Sequence, residues 1–209
     1  MRENIAVRAH RNIVMGRRVR QISSIISELI PDEVISVLDV GAGTGEMAQA
    51  VNDLHPELIF SGVDVYVRPK TFIPIVEYDG KILPFADNFF DAVLIVDVLH
   101  HCQDPVSLLK KCVRVSKCFV IIKDHISENF FDENVLKFMD WIGNRAHGVD
   151  LPYNYLSSSE WDSSFAMVGL DCLRKVNQLN LYPMPFDIVF GSSLHFLSLL
   201  IKDVGTYKR

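Results

Sequence analysis

The sequence of 209 residues lacks several features that would assign it to a specialised class of protein. It has no positive excess, because 26 acidic residues outnumber 21 lysines and arginines and give a net charge of −5. Since nucleic-acid-binding proteins usually carry a clear positive excess, we expect no nucleic-acid partner. The longest apolar run, from Leu194 to Ile201, is far shorter than the ~20 residues that span a bilayer. We therefore expect no transmembrane segment.

The cysteines also lack the spacing of a metal or disulfide framework. No Cys-x-x-Cys pair occurs among the four cysteines, which are Cys102, Cys112, Cys118 and Cys172. Most lie beside apolar segments, where cysteine behaves as a small hydrophobic residue. We expect no disulfide, no metal site and a reducing, cytoplasmic location. The N-terminal segment is too charged for a signal peptide.

What is present fits one globular domain over residues 1–209, since 49% of the residues are hydrophobic and 22% are charged. Apolar residues spaced by three and four predict a first helix over residues 17–30, ending at Pro31. Arginines dominate the first twenty residues. We favour the interpretation that they form a solvated helix start, with contact to an anionic substrate as the alternative.

The most informative segment runs from Val37 to Gly45. An apolar strand leads into Asp39, then into a loop with glycine at every second position, then into a helix. Glycine lets a backbone turn sharply and come close to a ligand, so the loop predicts a nucleoside-containing cofactor. A dinucleotide-binding loop would place glycine where Glu46 stands, and that carboxylate would repel a pyrophosphate. This argues against a nicotinamide-dependent oxidoreductase.

Further apolar strands are predicted over residues 58–65, 73–78, 92–98 and 119–122, with helix starts at Asp104-Pro105 and at Ser157. Two final strands are expected over residues 171–181 and 194–202. Buried strands alternating with helices predict a parallel sheet covered on both faces. Ligands of such sheets lie beyond the carboxyl ends of the strands, where Asp64 could accept hydrogen bonds from both ribose hydroxyls.

The motif acidic-x-G-x-G-x-G and the run that continues to Pro105 resemble the small-molecule class I S-adenosylmethionine-dependent methyltransferases, the group that includes the ubiquinone and menaquinone methylases. The resemblance implies a three-layer, Rossmann-like, doubly wound α/β fold whose sheet is mostly parallel with an antiparallel C-terminal strand. It implies S-adenosyl-L-methionine as cofactor and a small-molecule methyl acceptor. We expect a monomer or homodimer. A non-catalytic module that binds S-adenosylmethionine or S-adenosylhomocysteine is the alternative function.

The resemblance also implies roles for particular residues. The loop glycines would pack against the methionine and ribose portions of the donor, while Asp39 would orient the loop. Asp64 would bind the ribose, Asp79 and Gly80 the adenine, and Asp97 would lie near the methionyl ammonium. The complete implied cofactor-binding set is Asp39, Gly41, Gly43, Gly45, Asp64, Val65, Asp79, Gly80 and Asp97.

Residues 125–156 exceed the short connection that a minimal fold of this kind needs. Their aromatic, amide and histidine residues, with a helix over 133–144, predict an inserted lid over the acceptor pocket. The alternative is that the aromatic residues only cover a small core of their own. A hydroxyl acceptor needs a general base, and the candidates are His125, then His101 and His147. Each could instead be a hydrogen-bonded structural histidine.

Overall fold

A computed structural model describes residues 5–144, 152–183, 186–191 and 193–203, with the backbone alone for residues 5–15, 142–144 and 188–189. The helices are α1 (Ile5–Leu29), α2 (Glu46–Asn52), α3 (Pro105–Val115), α4 (Phe130–Asn144), α5 (Ser158–Met167) and α6 (Phe186–Phe190). The strands are β1 (Ser36–Val40), β2 (Ile59–Asp64), β3 (Ile75–Glu77), β4 (Phe90–Val96), β5 (Ser116–His125), β6 (Leu170–Val176) and β7 (His195–Lys202). A 3-10 turn spans Leu99–His101.

The strands form one seven-stranded sheet in the order β3-β2-β1-β4-β5-β7-β6. Strands β1 to β5 pair in parallel, and β7 lies antiparallel between β5 and β6. The chain moves outward from β1 to β3 and then returns to place β4 on the other side of β1. This reversal is the switch point at which doubly wound sheets bind ligands. The predicted fold class is confirmed.

Helices cover both faces of the sheet because successive strand residues point to opposite sides. On one face, Ile22 and Ile26 of α1 and Val51 of α2 pack in the same core as Val37 of β1. On the other face, Leu109 of α3 and the side chains of α5 complete a second core. Apolar strands buried on both sides account for the three layers.

Three elements are longer than their sequence patterns predict, and one of them is α4, which begins at Phe130 rather than at residue 133. Helix α1 begins at Ile5 rather than near residue 17, and β5 covers Ser116–His125 rather than residues 119–122. The C-terminal extension of β5 buries Lys123, Asp124 and His125. Charged residues in an interior strand oppose the hydrophobic pattern, and they require polar partners there. Among the described residues, no helix has the length and apolar character needed to cross a bilayer.

Candidate functional site

The glycine loop follows β1 at the switch point, and its glycines all have positive φ angles of 73°, 60° and 76° at Gly41, Gly43 and Gly45. A Cβ atom at Gly41 would lie 2.5 Å from Cγ2 of Val98, and one at Gly45 would lie 2.5 Å from Cγ1 of Ile73. Packing against the protein itself therefore requires glycine at these two positions. A Cβ at Gly43 would meet nothing within 4 Å. Gly43 thus presents bare backbone to open space.

The carboxylate of Asp64 lies beside this open position at the end of β2. Its Oδ2 accepts a hydrogen bond of 2.7 Å from the Gly43 amide, and its Oδ1 accepts one of 3.1 Å from the Tyr66 amide. Each oxygen retains a second lone pair. Burial first, and then the neighbouring Asp64 charge, raise the pKa of Asp39 to about 7. The loop and both predicted carboxylates are brought together.

The predicted adenine side of the site forms where β2 and β3 end. Oδ1 of Asp79 accepts hydrogen bonds of 2.8 and 3.0 Å from the amides of Lys81 and Ile82. These backbone bonds lower the pKa of Asp79. A Cβ at Gly80 would lie 3.4 Å from Cγ1 of Val65, whose side chain is exposed. Val65, Asp79 and Gly80 therefore adjoin one another, and an apolar surface lies beside a fixed carboxylate.

Asp97 has a different environment from the other predicted carboxylates. It follows β4 with a left-handed φ of 56°, and its carboxylate forms ion pairs with Arg18 of α1 and Lys123 of β5. Burial acts to raise the pKa of Asp97, but Arg18 and Lys123 hold it well below its usual range. Burial lowers the pKa of Lys123 to about 8 despite the attraction of Asp97. A ligand ammonium at Asp97 would therefore compete with two protein cations.

A buried histidine cluster continues from this ion pair. Nδ1 of His100 lies 2.6 Å from Oδ1 of Asp124, and Nδ1 of His125 lies 3.3 Å from Nδ1 of His100. Burial, followed by the charges of Lys123 and His100, lowers the pKa of His125 to about 4. Burial alone would lower the pKa of His100, but the Asp124 carboxylate outweighs it and the net shift is upward. His125 is thus a neutral imidazole at neutral pH.

The other histidine candidates lie differently. His101 is partly exposed, and its ring centroid is 4.0 Å from that of His100. His147 lies outside the residues that the structure describes. The segment of residues 152–157 packs on the 3-10 turn, because Nδ2 of Asn154 donates to the carbonyl of Cys102 at 2.6 Å. Tyr155 donates its hydroxyl proton to Asp140 of α4.

Two charged residues of the site, Arg18 and Lys123, were not predicted from the sequence. Arg18 is a partner of Asp97, so at this position the favoured interpretation of a solvated helix start is wrong. Lys123 and His195 are fully buried, with 3.3 Å between Nζ and Nδ1. The available signal was the run Lys123-Asp124-His125 directly after four apolar residues of a strand, at the end where ligands bind.

Comparison with known proteins agrees with this architecture. Residues 38–118 match the methyltransferase domain family. The ubiquinone/menaquinone biosynthesis C-methyltransferase UbiE of Cupriavidus metallidurans is 27% identical over 59% of this chain, and the match spans only 58% of that relative's length. A Haloferax volcanii methyltransferase, solved in complex with the Trm112 methyltransferase activator, has a TM-score of 0.70 at 16% identity, covering 96% of this chain and 98% of that one. The plantazolicin methyltransferase BpumL, solved with SAH, has a TM-score of 0.62 at 15% identity, covering 92% and 86%.

Proposed function

We propose that this chain is a class I S-adenosylmethionine-dependent methyltransferase and transfers a methyl group from S-adenosylmethionine to a small-molecule acceptor. The observation that carries the proposal is the open backbone face of Gly43 beside the Asp64 carboxylate. This pairing supplies close backbone approach and a hydroxyl-binding acid at the switch point. The residues of this chain therefore fit a nucleoside donor such as S-adenosylmethionine.

Donor contacts follow from this geometry. We assign the ribose hydroxyls to the remaining lone pairs of Asp64 and the adenine to the surface formed by Val65, Asp79 and Gly80. Gly43 contacts the donor directly, whereas Gly41 and Gly45 shape the loop through their contacts with Val98 and Ile73. We assign Asp39, at the end of β1, the role of orienting the glycine loop. We place Asp97 near the methionine portion of the donor, where it also forms ion pairs with Arg18 and Lys123.

The donor's sulfonium charge already activates its methyl group, so the task of the protein is alignment and exclusion of water during an in-line displacement. If the acceptor is a hydroxyl, a base must take its proton. We place His101 ahead of His125 in this role because His101 is partly exposed, whereas His125 is buried against His100 and Asp124. His147 remains a prediction from the sequence.

We also propose that residues 125–156 form the lid of the acceptor pocket. Support comes from Asn154, which bonds the turn after β4, and from Tyr155, which ties this segment to α4 through Asp140. The turn carries His101, so the segment lies against the proposed acceptor side. A cytoplasmic location and a monomeric or homodimeric state remain predictions from the sequence.

The first experiment is a calorimetric titration of the chain with S-adenosylhomocysteine, with NAD as the control ligand. We expect saturable binding of S-adenosylhomocysteine alone. Asp64→Asn should weaken it about tenfold or more, because charge-assisted hydrogen bonds contribute about 1.5–3 kcal/mol. Asp162→Asn, at an exposed acid on α5, should leave it unchanged. Unaltered affinity in Asp64→Asn would contradict the assignment.

A second outcome separates catalysis from the alternative function. The non-catalytic binding module predicts donor binding without methyl transfer to any acceptor class. Incubation with methyl-labelled S-adenosylmethionine and panels of hydroxyl, amine and carbon acceptors would expose turnover. Transfer to one small-molecule class supports the proposal, and donor binding without transfer to any of them favours the binding module.

A further inference from the structure

We propose that His100, Asp124 and His125 bind a divalent transition-metal ion where β4 and β5 end. The site lies outside the donor-binding residues assigned above, and its occupation does not depend on the proposed methyl transfer. The expectation of no metal site rested on the spacing of the cysteines. The fold instead joins a histidine from the turn after β4 with two residues at the end of β5.

Two of the three distances between the potential ligand atoms match those of a metal site, and the third is shortened by a hydrogen bond. Zn²⁺ binds nitrogen and oxygen at about 2.0–2.2 Å, so tetrahedral ligands lie roughly 3.3–3.6 Å apart. Nδ1 of His125 lies 3.3 Å from Nδ1 of His100 and 3.4 Å from Oδ1 of Asp124. The third edge, from His100 to Asp124, is a hydrogen bond of 2.6 Å. Metal binding would replace that proton and open this edge.

The donor set selects the class of metal. Two imidazoles and one carboxylate suit Zn²⁺, Fe²⁺ or Co²⁺, whereas Mg²⁺ and Ca²⁺ prefer oxygen ligands alone. Three protein ligands leave at least one coordination position for water or a substrate atom.

Surrounding groups hold the proposed ligands in place, as supporting hydrogen bonds commonly do around metal-binding histidines. The second ring nitrogen of His100, Nε2, lies 3.5 Å from Oδ2 of Asp140. The indole of Trp161 donates a hydrogen bond of 2.9 Å to the carbonyl of His125. Asp97, with Oδ1 3.8 Å from Nδ1 of His125, offsets the nearby charge of Lys123. The ligands are therefore positioned before any ion binds.

Metal titrations of the full chain test the proposal. The protein, free of any histidine tag and stripped with a chelator, would be titrated with Zn²⁺ by calorimetry and with Co²⁺ by visible absorption. We expect one equivalent of either ion to bind, with visible bands typical of nitrogen and oxygen ligands. Mg²⁺ should fail to compete. No binding up to millimolar free Zn²⁺ and Co²⁺ would overturn the proposal.

Variants then locate the ion. His100→Gln and His125→Gln should each weaken Zn²⁺ binding about 100-fold or more, whereas His55→Gln, at a histidine paired with Glu57 outside the cluster, should leave it unchanged. Circular dichroism would show whether each variant folds. Equal affinity in a folded His125→Gln variant, or a loss in His55→Gln, would refute the assignment.

A measurement on the unmodified chain keeps the test independent of variant folding. NMR of the imidazole nitrogens should show Zn²⁺-dependent shifts at His100 and His125 and none at His55. Shifts confined to exposed histidines would mean an adventitious ion only. S-adenosylhomocysteine binding measured on the same sample would report separately on the proposed function.

Discussion

At the scale of single residues, the loop glycines separate into packing positions and one ligand-facing position. Gly41 and Gly45 are enclosed by Val98 and Ile73, while Gly43 and the distant Gly169 both have a positive φ and no atom within 4 Å of where a Cβ would lie. Both positions therefore require a left-handed backbone. They differ in location, because Gly43 lies beside Asp64 at the switch point, whereas Gly169 lies between α5 and β6. That difference permits a matched pair of substitutions.

Gly43→Ala and Gly169→Ala should each cost about 1–2 kcal/mol of stability, because alanine disfavours the left-handed backbone. Only Gly43→Ala should also weaken S-adenosylhomocysteine binding, by about tenfold or more, since its methyl group enters the open face. Thermal unfolding and calorimetric titration of both variants measure the two effects. Equal donor affinity in the two variants would show that the donor does not approach Gly43.

Asp39 makes stability depend on pH in a direction that its raised pKa defines. A carboxyl with a folded pKa of about 7 binds its proton more tightly when folded. Its stabilising contribution is thus complete below the unfolded pKa near 4 and is lost as pH rises through about 7. Asp39→Asn, which resembles the protonated form, should be more stable than the parent chain at pH 8 by a few kcal/mol at most.

Urea denaturation at pH 4.5 and pH 8 measures this difference. The advantage of Asp39→Asn should shrink toward zero at the lower pH, because the parent carboxyl is then protonated. Asp53→Asn, at an exposed acid that accepts a hydrogen bond from Gln49, is the control. An Asp39→Asn effect independent of pH would mean that Asp39 keeps an ordinary pKa when folded.

At the scale of elements, local signals predicted the starts of α3 and α5, whereas the end of β5 depended on distant partners. Asp104 accepts a hydrogen bond of 2.9 Å from the Ser107 amide, as its position before Pro105 indicates. Ser157 and Glu160 form the predicted capping box. Such contacts lie within a few residues of one another. The burial of Lys123 could not be predicted in this way, since its partner Asp97 belongs to another strand end.

The segment of residues 152–157 offers a test of the proposed lid. Asn154→Ala removes hydrogen bonds of 2.6 and 3.3 Å to the carbonyls of Cys102 and Gln103. Each such bond contributes about 1 kcal/mol. We therefore expect the backbone amide of residue 154 to exchange hydrogen several-fold faster in the variant. Donor affinity should stay unchanged, and transfer to the acceptor should slow.

Asn52→Ala is the matched control for this prediction. Nδ2 of Asn52 also donates to two carbonyls, those of His55 and Leu58. Its loss should lower stability by a similar amount without affecting exchange at residue 154 or methyl transfer. If both variants slow transfer equally, general stability rather than a lid would explain the effect.

At the scale of the whole molecule, the switch point was predictable because the order of motifs from Val37 to Pro105 specifies a doubly wound sheet. The cluster of ion pairs at Asp97, called the ionic junction below, was not predictable. Arg18 of α1, Asp97 after β4 and Lys123 of β5 come from well-separated parts of the chain. No local signal in the sequence pairs these three residues, and only the folded sheet brings them together. The junction ties the first helix to the middle of the sheet.

The buried pair should therefore couple more strongly than a surface pair. A double-mutant cycle with Asp97→Asn and Lys123→Met should give an interaction energy of about 1–3 kcal/mol, because removing one partner leaves the other charge buried. The same cycle at Asp162 and Lys175, whose side chains are 66% and 22% exposed at a distance of 3.5 Å, should give less than about 1 kcal/mol.

Urea denaturation at pH 7 measures both cycles. Arg18 stays in place throughout, so the Asp97 cycle reports how much of the junction depends on Lys123 rather than on Arg18. A coupling as small as that of the surface pair would mean that Arg18 alone neutralises Asp97. Lys123 would then be a buried amine available to the ligands of the site rather than a structural partner of Asp97.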